Sequence, residues 1–303
     1  MATTQTVGMI GLGVMGAAMA ANLLKRGFTV VGYDVRPGPA RTLAAQGGIA
    51  TRSVAEVVRG SEVIFTSLPM PDAVLAVAAG IVSAKPKGRI VVETSTMTLA
   101  TKEAARSRVE AAGATMLDCP ISGAGAQART GDIAFYASGP KAAYERCAPA
   151  LDACARWRFH LGAFGAGSKM KFIANHLVAV HNVAAAEAMA MAQKAGIAPA
   201  AMLEAIRVGA GNSRGLEVRG PMMVADDYPP VTMTLKAFQK DLHLIGDFAD
   251  EIGCPTPLFT LCRALYLAAL SEGLHEEDIG AVCRVLERMA GVKRVSRRSR
   301  RRR

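Results

Sequence analysis

The feature that most constrains the fold is a set of three spaced glycines between an apolar strand and a helix. In chain order the segment comprises a strand (residues 6–10), Gly11, Gly13 and Gly16, a helix (17–26), a second strand (28–33) and Asp34. Gly11 permits a tight turn, Gly13 lets backbone N–H groups approach a pyrophosphate, and Gly16 lets helix and strand pack closely. Because an acid follows about 20 residues later, the context predicts a dinucleotide-binding βαβ unit. The alternative is a glycine turn that binds nothing.

Asp34 predicts which dinucleotide binds. Its carboxylate is expected to accept hydrogen bonds from both ribose hydroxyls and to repel a 2′-phosphate. We therefore expect NAD rather than NADP, although Arg36 leaves some tolerance for the phosphate. The cofactor contacts expected from this segment are Gly11, Leu12, Gly13, Val14, Met15, Gly16 and Asp34.

The rest of the first half repeats the alternation of strands and helices. Strands are predicted over residues 62–66, 89–93, 114–117, 132–138 and 158–160, and helices over 54–59, 72–79, 99–112 and 141–153. This alternation predicts a doubly wound parallel α/β sheet, with a ligand across the carboxyl ends of the strands. The turns there should flank the nicotinamide, with Leu68, Pro69 and Thr96 as expected contacts. The alternative is that Ser95 or Thr96 only caps the following helix.

A stretch of small residues, 118–131, contains one serine among glycines and alanines. It predicts a loop whose N–H groups can converge on an anion, as a carboxylate substrate would need. Taken alone it remains a glycine-rich loop.

From residue 165 onward the pattern contains helices alone. A long helix to about residue 194 is followed by predicted helices over 199–208, 212–223, 234–252, 257–271 and 278–290. We therefore expect a Rossmann-type nucleotide-binding domain over 1–164 and an all-α domain over 165–291, joined by the long helix. The second domain should close a substrate cleft and supply an oligomer interface.

Lys171 and Asn175 lie one turn apart on one face of the long helix. A lysine beside a carboxamide can donate a proton to a substrate oxygen while the amide holds that oxygen in place. The alternative is a solvated lysine and an asparagine of the first turns, because both residue types are mostly found on surfaces.

The net charge of +11 comes mainly from the carboxyl terminus. Residues 293–303 hold eight Lys and Arg, without which the balance is +3. We expect residues 292–303 to be a disordered basic tail. We favour no specific role for it, and binding of RNA or phosphate is the alternative.

Other classes of protein are disfavoured. No uncharged apolar run reaches the roughly 18 residues of a membrane helix, and the amino terminus does not resemble a signal peptide, so we expect a cytoplasmic protein. The six cysteines form no Cys-x-x-Cys pair. His176 and His181 do not share a helix face, so we expect no metal.

Four motifs, in this order, resemble those of the β-hydroxyacid dehydrogenases. They are the glycines of residues 11–16 with 19–27, Asp118-Cys-Pro-Ile-Ser-Gly123, Gly165-x-Gly-x-x-x-Lys171-x-x-x-Asn175, and Lys240-Asp-Leu242. Together they span nearly the whole chain except the tail. The resemblance implies a Rossmann domain joined through a long helix to a helical, dimerising domain, so we expect a homodimer or homotetramer.

The resemblance also implies roles for individual residues. Lys171 would be the general acid and base, and Asn175 would orient the substrate. Ser122 and Gly123 would bind the substrate carboxylate, together with position 124. Two further positions, Thr96 and Lys240, match family positions that touch NAD.

A finer likeness points to the L-threonate dehydrogenase branch. It is carried by residues 119–122, 180–190, 210–213 and 217–219. Two departures bear on the substrate: Ala124 replaces a usual second glycine, and Gln127 and Arg214 replace an expected lysine and tryptophan. 3-Hydroxyisobutyrate and tartronate semialdehyde are therefore kept as alternative substrates.

The expected reaction is reversible hydride transfer between a small hydroxy acid and NAD. A lysine near its reference pKa of about 10.4 is a poor base at neutral pH, so the closed cleft and the cofactor charge must lower it. One rival is a non-catalytic NAD-binding protein tethered to nucleic acid by its tail, which the presence of Lys171 and Asn175 disfavours. Another is an imine reductase, a group that typically lacks the lysine.

Overall fold

In the computed structural model, which describes residues 5–294, the chain divides into two compact units, Met1–Lys171 and Phe172–Arg303. The first unit contains β1 (Thr6–Ile10), α1 (Val14–Lys25), β2 (Thr29–Tyr33), α2 (Pro37–Ala45), β3 (Ile49–Ala50), α3 (Val54–Gly60), β4 (Val63–Thr66), α4 (Pro71–Ser83), β5 (Ile90–Glu93), α5 (Leu99–Ala111), β6 (Thr115–Asp118), β7 (Ile121–Ser122), α6 (Gly125–Thr130), β8 (Ala134–Ala137), α7 (Lys141–Cys154) and β9 (Trp157–His160). A long helix, α8 (Ala166–Lys194), begins in this unit and continues into the second.

The main sheet is parallel, with strand order β3-β2-β1-β4-β5-β6. This is the order of a Rossmann dinucleotide-binding sheet, and it confirms the predicted doubly wound class. Consecutive side chains on each strand enter separate cores. Phe65 and Val92 belong to one apolar cluster, while Ile64 and Val91 belong to another. Both faces of the sheet are therefore covered, which explains why these strands are apolar throughout.

The register of the sheet brings the carboxyl ends of its strands into one row. Ile10 pairs with Tyr33 on one side and Thr66 on the other, Thr66 pairs with Glu93, and Glu93 pairs with Asp118. The segments that follow these five residues therefore all start at the same edge of the sheet. That edge is where a doubly wound fold binds its ligand.

The glycine-rich stretch over residues 118–131 is more ordered than expected. The prediction of an irregular loop is wrong for Gly125–Thr130, which forms α6, and for Ile121–Ser122, which pairs with β8 in a separate sheet of order β7-β8-β9. The buried Asn22 donates a hydrogen bond of 2.8 Å to the carbonyl of Ala128 and so fixes α6 on α1. A contact across 106 residues of sequence leaves no local signal for the helix.

The second unit is helical. After α8 come α9 (Pro199–Ile206), α10 (Arg214–Ala225), α11 (Leu235–Glu251), α12 (Pro257–Ser271), a 3₁₀ turn (Ile279–Ala281) and α13 (Val282–Met289). None of the helices within residues 5–294 is long and apolar enough to cross a membrane.

The start of the predicted basic tail is not free in solution. Arg294 donates from Nε to Glu287 at 2.7 Å and from its guanidinium to the carbonyl of Met223 at 2.6 Å. Glu287 is buried, so this contact provides a partner for a buried carboxylate. The expectation of a disordered tail is therefore wrong for Arg294, and its remainder, residues 295–303, lies outside the described residues.

Candidate active site

The turn after β1 depends on two glycines. Gly11 has a φ of 87°, and a Cβ built there would lie 2.2 Å from the carbonyl oxygen of Ser67. A Cβ on Gly16 would lie 1.9 Å from the carbonyl oxygen of Gly11. Both positions therefore exclude side chains, and the reason is contact between backbone segments of the protein itself.

Gly13 differs from these two glycines. It is the N-cap of α1, its φ is −68°, and a Cβ there would meet no atom of residues 5–294 within 4 Å, apart from its chain neighbours and the backbone of its own helix. The first N–H groups of a helix lack intrahelical acceptors, so those of Val14 and Met15 face the place where an anion would bind. Open space at this helix end fits the pyrophosphate of a dinucleotide.

Asp34 follows β2 and lies beside this turn. Its Oδ2 accepts a hydrogen bond from the Leu12 N–H at 2.8 Å, and its Oδ1 accepts from the Arg36 N–H at 2.9 Å and Nε at 3.2 Å. Burial raises the pKa of this carboxyl, but the hydrogen bonds from Arg36 and Leu12 outweigh burial and hold the pKa below its ordinary value. Three of about four acceptor positions are used, so a second ribose hydroxyl requires Arg36 to move.

The turns after β4 and β5 are tied to each other. The Leu68 N–H donates to Ser95 Oγ at 2.9 Å, and the Ser95 hydroxyl donates in turn to Glu93. The expected alternative, that Ser95 or Thr96 caps the next helix, is wrong, because Thr98 is the N-cap of α5. Pro69 is exposed and Thr96 is half-buried at this edge.

The loop around Ser122 packs on the glycine turn. Gly123 has a φ of 131°, and a Cβ on Gly125 would lie 2.3 Å from Cγ1 of Val14, the first residue of α1. The predicted cofactor and carboxylate motifs therefore meet within the first unit. The Ala124 N–H, however, donates to Gln127 Oε1 at 3.0 Å, so it is already used by the protein.

A buried group of charges lies beneath this edge of the sheet. Lys102 is fully buried, and its Nζ lies 2.6 Å from Asp118 Oδ1 and 3.0 Å from Glu93 Oε2. The second contact is an ion pair, although its angles are not those of a hydrogen bond. Burial lowers the pKa of Lys102, but Asp118 and Glu93 outweigh burial and raise it above its ordinary value.

Asp118 also holds the first turn of α8. Its Oδ2 accepts from the Ser168 N–H at 2.7 Å, and its Oδ1 accepts from the Ser168 hydroxyl at 2.8 Å. The Gly167 N–H donates to Ser138 Oγ at 2.9 Å, and that hydroxyl lies 3.3 Å from Asp118 Oδ2. A carboxylate at this position caps the helix and complements its dipole.

Lys171 and Asn175 follow this turn on α8. Lys171 is 8% exposed and Asn175 is 7% exposed, whereas Lys169, two residues earlier, is exposed. Lys171 is therefore not a solvated surface lysine. The burial of both polar side chains gives each of them a defined environment.

Within the second unit, Asn175 has a fixed partner. Its Nδ2 donates to Asp241 Oδ2 at 2.8 Å, and the other carboxylate oxygen lies 2.9 Å from Lys240 Nζ. Asp241 is buried, whereas the Lys240 side chain is 42% exposed. Lys240 is therefore neither a free surface charge nor fully enclosed, and Asp241 orients the carboxamide of Asn175.

Sequence reasoning missed the three buried charges. The available signal was a lysine in the apolar stripe of α5, because Lys102 shares its face with the buried Ala105 and Val109.

Arg219, which was expected only as part of a branch likeness, pairs with the buried Asp278 at 2.8 Å. Among residues 5–294 no group of three or more His, Cys, Asp or Glu is placed to hold a metal ion.

Two family models match the chain. One describes the NAD binding domain of 6-phosphogluconate dehydrogenase and matches residues 6–165. The other describes the NAD-binding region of NADP-dependent 3-hydroxyisobutyrate dehydrogenase and matches residues 165–286. Their junction falls at the start of α8.

Curated relatives and solved structures agree with these matches. L-threonate dehydrogenase of Cupriavidus necator is 36% identical over 286 residues, which cover 93% of this chain and 96% of the relative. The crystal structure of 3-hydroxyisobutyrate dehydrogenase from Salmonella typhimurium has a TM-score of 0.83 and 33% identity, covering 93% of this chain and 99% of that one. An imine reductase from Pseudomonas has a TM-score of 0.61 at 20% identity, a likeness of fold alone.

Substitution by alanine should have different effects at Gly13 and at Gly16. Gly16→Ala should lower the free energy of unfolding by about 1–3 kcal/mol, because its methyl group overlaps backbone. Gly13→Ala should leave the free energy of unfolding within about 1 kcal/mol, because its methyl group enters open space. It should nevertheless weaken NAD binding by about tenfold or more, about 1.4 kcal/mol. Denaturant unfolding and calorimetric titration with NAD measure both effects, and unchanged NAD affinity of Gly13→Ala would place the pyrophosphate elsewhere.

Proposed function

We propose, from the premise that this chain belongs to the β-hydroxyacid dehydrogenase family and is an NAD-dependent oxidoreductase of small hydroxy acids, that its substrate is a four-carbon sugar acid such as L-threonate. Relatives named L-threonate dehydrogenase, from Cupriavidus necator and Haemophilus influenzae, support this substrate at 36% and 33% identity. 3-Hydroxyisobutyrate and tartronate semialdehyde remain the alternatives.

The cofactor is assigned to the edge of the main sheet. The first-turn N–H groups of α1 would hold its pyrophosphate, with Gly13 leaving the space, and Asp34 would accept a ribose hydroxyl. Leu68, Pro69 and Thr96 would flank the nicotinamide, and Lys240 is also proposed as a cofactor contact. When bound, NAD takes up the hydride from the carbinol carbon in oxidation and returns it in reduction.

The substrate carboxylate is assigned to the loop after β7. The Ser122 hydroxyl and the Gly123 N–H would donate hydrogen bonds to it. Ala124 was expected to join them, but its N–H donates to Gln127, so only its methyl group would face the substrate. The loop therefore offers fewer donors than a glycine at position 124 with a lysine at 127 would, and this difference is expected to affect the choice of acid.

Lys171 is assigned the proton transfer, and its burial is the observation that carries this assignment. In oxidation the neutral Nζ accepts the proton of the substrate hydroxyl as the C–O bond gains double-bond character. In reduction the protonated Nζ returns a proton to the carbonyl oxygen. The step in the oxidation direction requires the neutral form of this amine, because only the neutral form can accept a proton.

Asn175 is assigned the orientation of the reacting oxygen. Because one N–H of its carboxamide donates to Asp241, the amide cannot flip without losing that hydrogen bond. The carbonyl oxygen and the second N–H keep fixed directions for a substrate hydroxyl. Asn175 lies one turn after Lys171, so both would act on the same carbinol group.

A substrate panel tests the proposed function. Turnover measured in the NAD⁺ direction at alkaline pH should be highest with L-threonate. It should be lower with 3-hydroxyisobutyrate and with glycerate, whose oxidation gives tartronate semialdehyde. NAD⁺ should be preferred over NADP⁺ by about tenfold or more in kcat/KM, about 1.4 kcal/mol, because the carboxylate of Asp34 opposes a 2′-phosphate. Equal use of NADP⁺, or a substrate outside the hydroxy acids, contradicts the proposal.

Substitution of Lys171 tests its role as the proton-transfer group. Lys171→Ala should lower kcat by about 10² or more, since transfer by a positioned group is worth about 10²–10⁴. Lys171→Arg should recover little, because a guanidinium does not release a proton near neutral pH. Lys169→Ala, on the exposed face of the same helix, is the matched control and should keep the wild-type rate. Recovery of most of the rate by arginine would mean that the residue binds charge only.

We also propose that the protein works in the cytoplasm as a homodimer or homotetramer. Leu258 and Leu261, which lie on one face of α12, are 64% and 66% exposed, and a second copy would cover such a helix face. Sedimentation equilibrium should give two or four times the chain mass of 31.7 kDa, and Leu261→Asp should shift it towards the monomer. A monomer in the unmodified protein, or its recovery outside the cytoplasm on cell fractionation, would contradict the corresponding part.

A further inference from the structure

We propose that Glu93, Lys102 and Asp118 form a charge anchor that fixes the first turn of α8, and that Asp118 is thereby a positioning residue for Lys171. This inference rests on the proposed function, because it assigns a purpose to the placement of the lysine.

The first step is the cap itself. Both carboxylate oxygens of Asp118 accept hydrogen bonds from Ser168, one from its N–H at 2.7 Å and one from its hydroxyl at 2.8 Å. A carboxylate can accept through both of its oxygens, whereas an amide in the same place accepts through one only. The negative charge also lies at the positive end of the helix dipole. The first turn of α8 therefore uses both oxygens of Asp118.

Lys102 provides the positive charge that balances Asp118 and Glu93. Asp118 is 0% exposed and its strand partner Glu93 is 1% exposed, so the two carboxylates would repel each other in a medium of low dielectric. Lys102 lies between them at 2.6 and 3.0 Å and is itself 0% exposed. Its positive charge lies between the two carboxylates and offsets this repulsion. Lys102 thus acts on α8 only through Asp118.

The third step links the anchor to the reacting group. Lys171 is three residues after Ser168, so the same turn of helix sets the position of its Cα atom. Gly167 leaves this turn no freedom towards the sheet, since a Cβ there would lie 2.1 Å from the carbonyl oxygen of Tyr136. A shift of about 1 Å in a catalytic group can cost about 10²-fold in rate, so a loose first turn would be felt in kcat.

Two double variants separate positioning from stability. The first variant combines Glu93→Gln with Lys102→Met, and the second combines Lys102→Met with Asp118→Asn. Each variant removes one buried cation and one buried anion. The first keeps the carboxylate cap on Ser168, whereas the second replaces it with an amide that accepts through one oxygen only. The first should lose less than about threefold in kcat, and the second about tenfold to 100-fold, with the Kd for NAD unchanged within a few fold. Arg108→Met, an exposed charge on the same helix, is the control.

Hydrogen exchange of residues 166–171 provides a readout that does not depend on turnover. Exchange there should accelerate in the Asp118 double variant and not in the Glu93 double variant. Equal losses of kcat in the two variants, or unchanged exchange in both, would overturn the anchor. Absence of hydroxy-acid turnover in the unmodified protein would instead overturn the proposed function. The hydrogen-exchange rates of residues 166–171 would still show whether the charge anchor fixes the first turn of α8.

If either double variant does not fold, Ser138→Ala decides the question. This substitution removes the acceptor of the Gly167 N–H and one neighbour of Asp118 Oδ2 without introducing or removing charge. It should lower kcat by about three- to tenfold and accelerate exchange in residues 166–171. Wild-type kcat together with wild-type exchange in Ser138→Ala would overturn the proposal.

Discussion

The hydrogen bonds between Asp118 and Ser168 are the interaction on which the proposed site depends. They join the last residue of β6 to the first turn of α8, at the point where the alternating half of the chain becomes helical. A buried carboxylate is costly unless its charge is balanced, and here the balance comes from Lys102. The buried ion pair of Asp118 and Lys102 is therefore attached to the helix turn that leads to Lys171. In the proposed account, this placement gives one lysine a fixed position at the sheet edge.

Most of the fold could be predicted from the sequence because it follows from local patterns. Apolar runs predicted the strands of the main sheet, and glycine and proline breaks predicted where helices end. The glycines of residues 11–16 predicted the turn between β1 and α1. The elements that escaped prediction have causes distant in sequence. Helix α6 is held by Asn22 and by Gln127, and Arg294 is ordered by the buried Glu287. The composition of these segments, small residues in one and basic residues in the other, does not predict the contacts that order α6 and Arg294.

The candidate site residues could be proposed from the sequence, whereas the contacts that support them could not. Lys171 and Asn175 were identified by spacing and family resemblance, and their burial distinguishes them from the exposed Lys169. Asp241, which orients Asn175, lies 66 residues away, so no spacing rule could have linked the two. The same holds for the contact between Asp118 and Ser168, which are 50 residues apart. Such pairs are created by the packing of whole elements, whereas motif reasoning finds residues that share one element.

Chemical rescue of a variant that lacks the amine tests whether Lys171 transfers a proton. The rate of Lys171→Ala with NAD⁺ and a hydroxy acid would be measured against the concentration of small primary amines that differ in pKa. If Lys171 is the base, the rate should rise with amine concentration and the slope should depend on the pKa of the amine, as general base catalysis requires. Rescue of equal size by a quaternary ammonium ion, which has no proton to exchange, would contradict it.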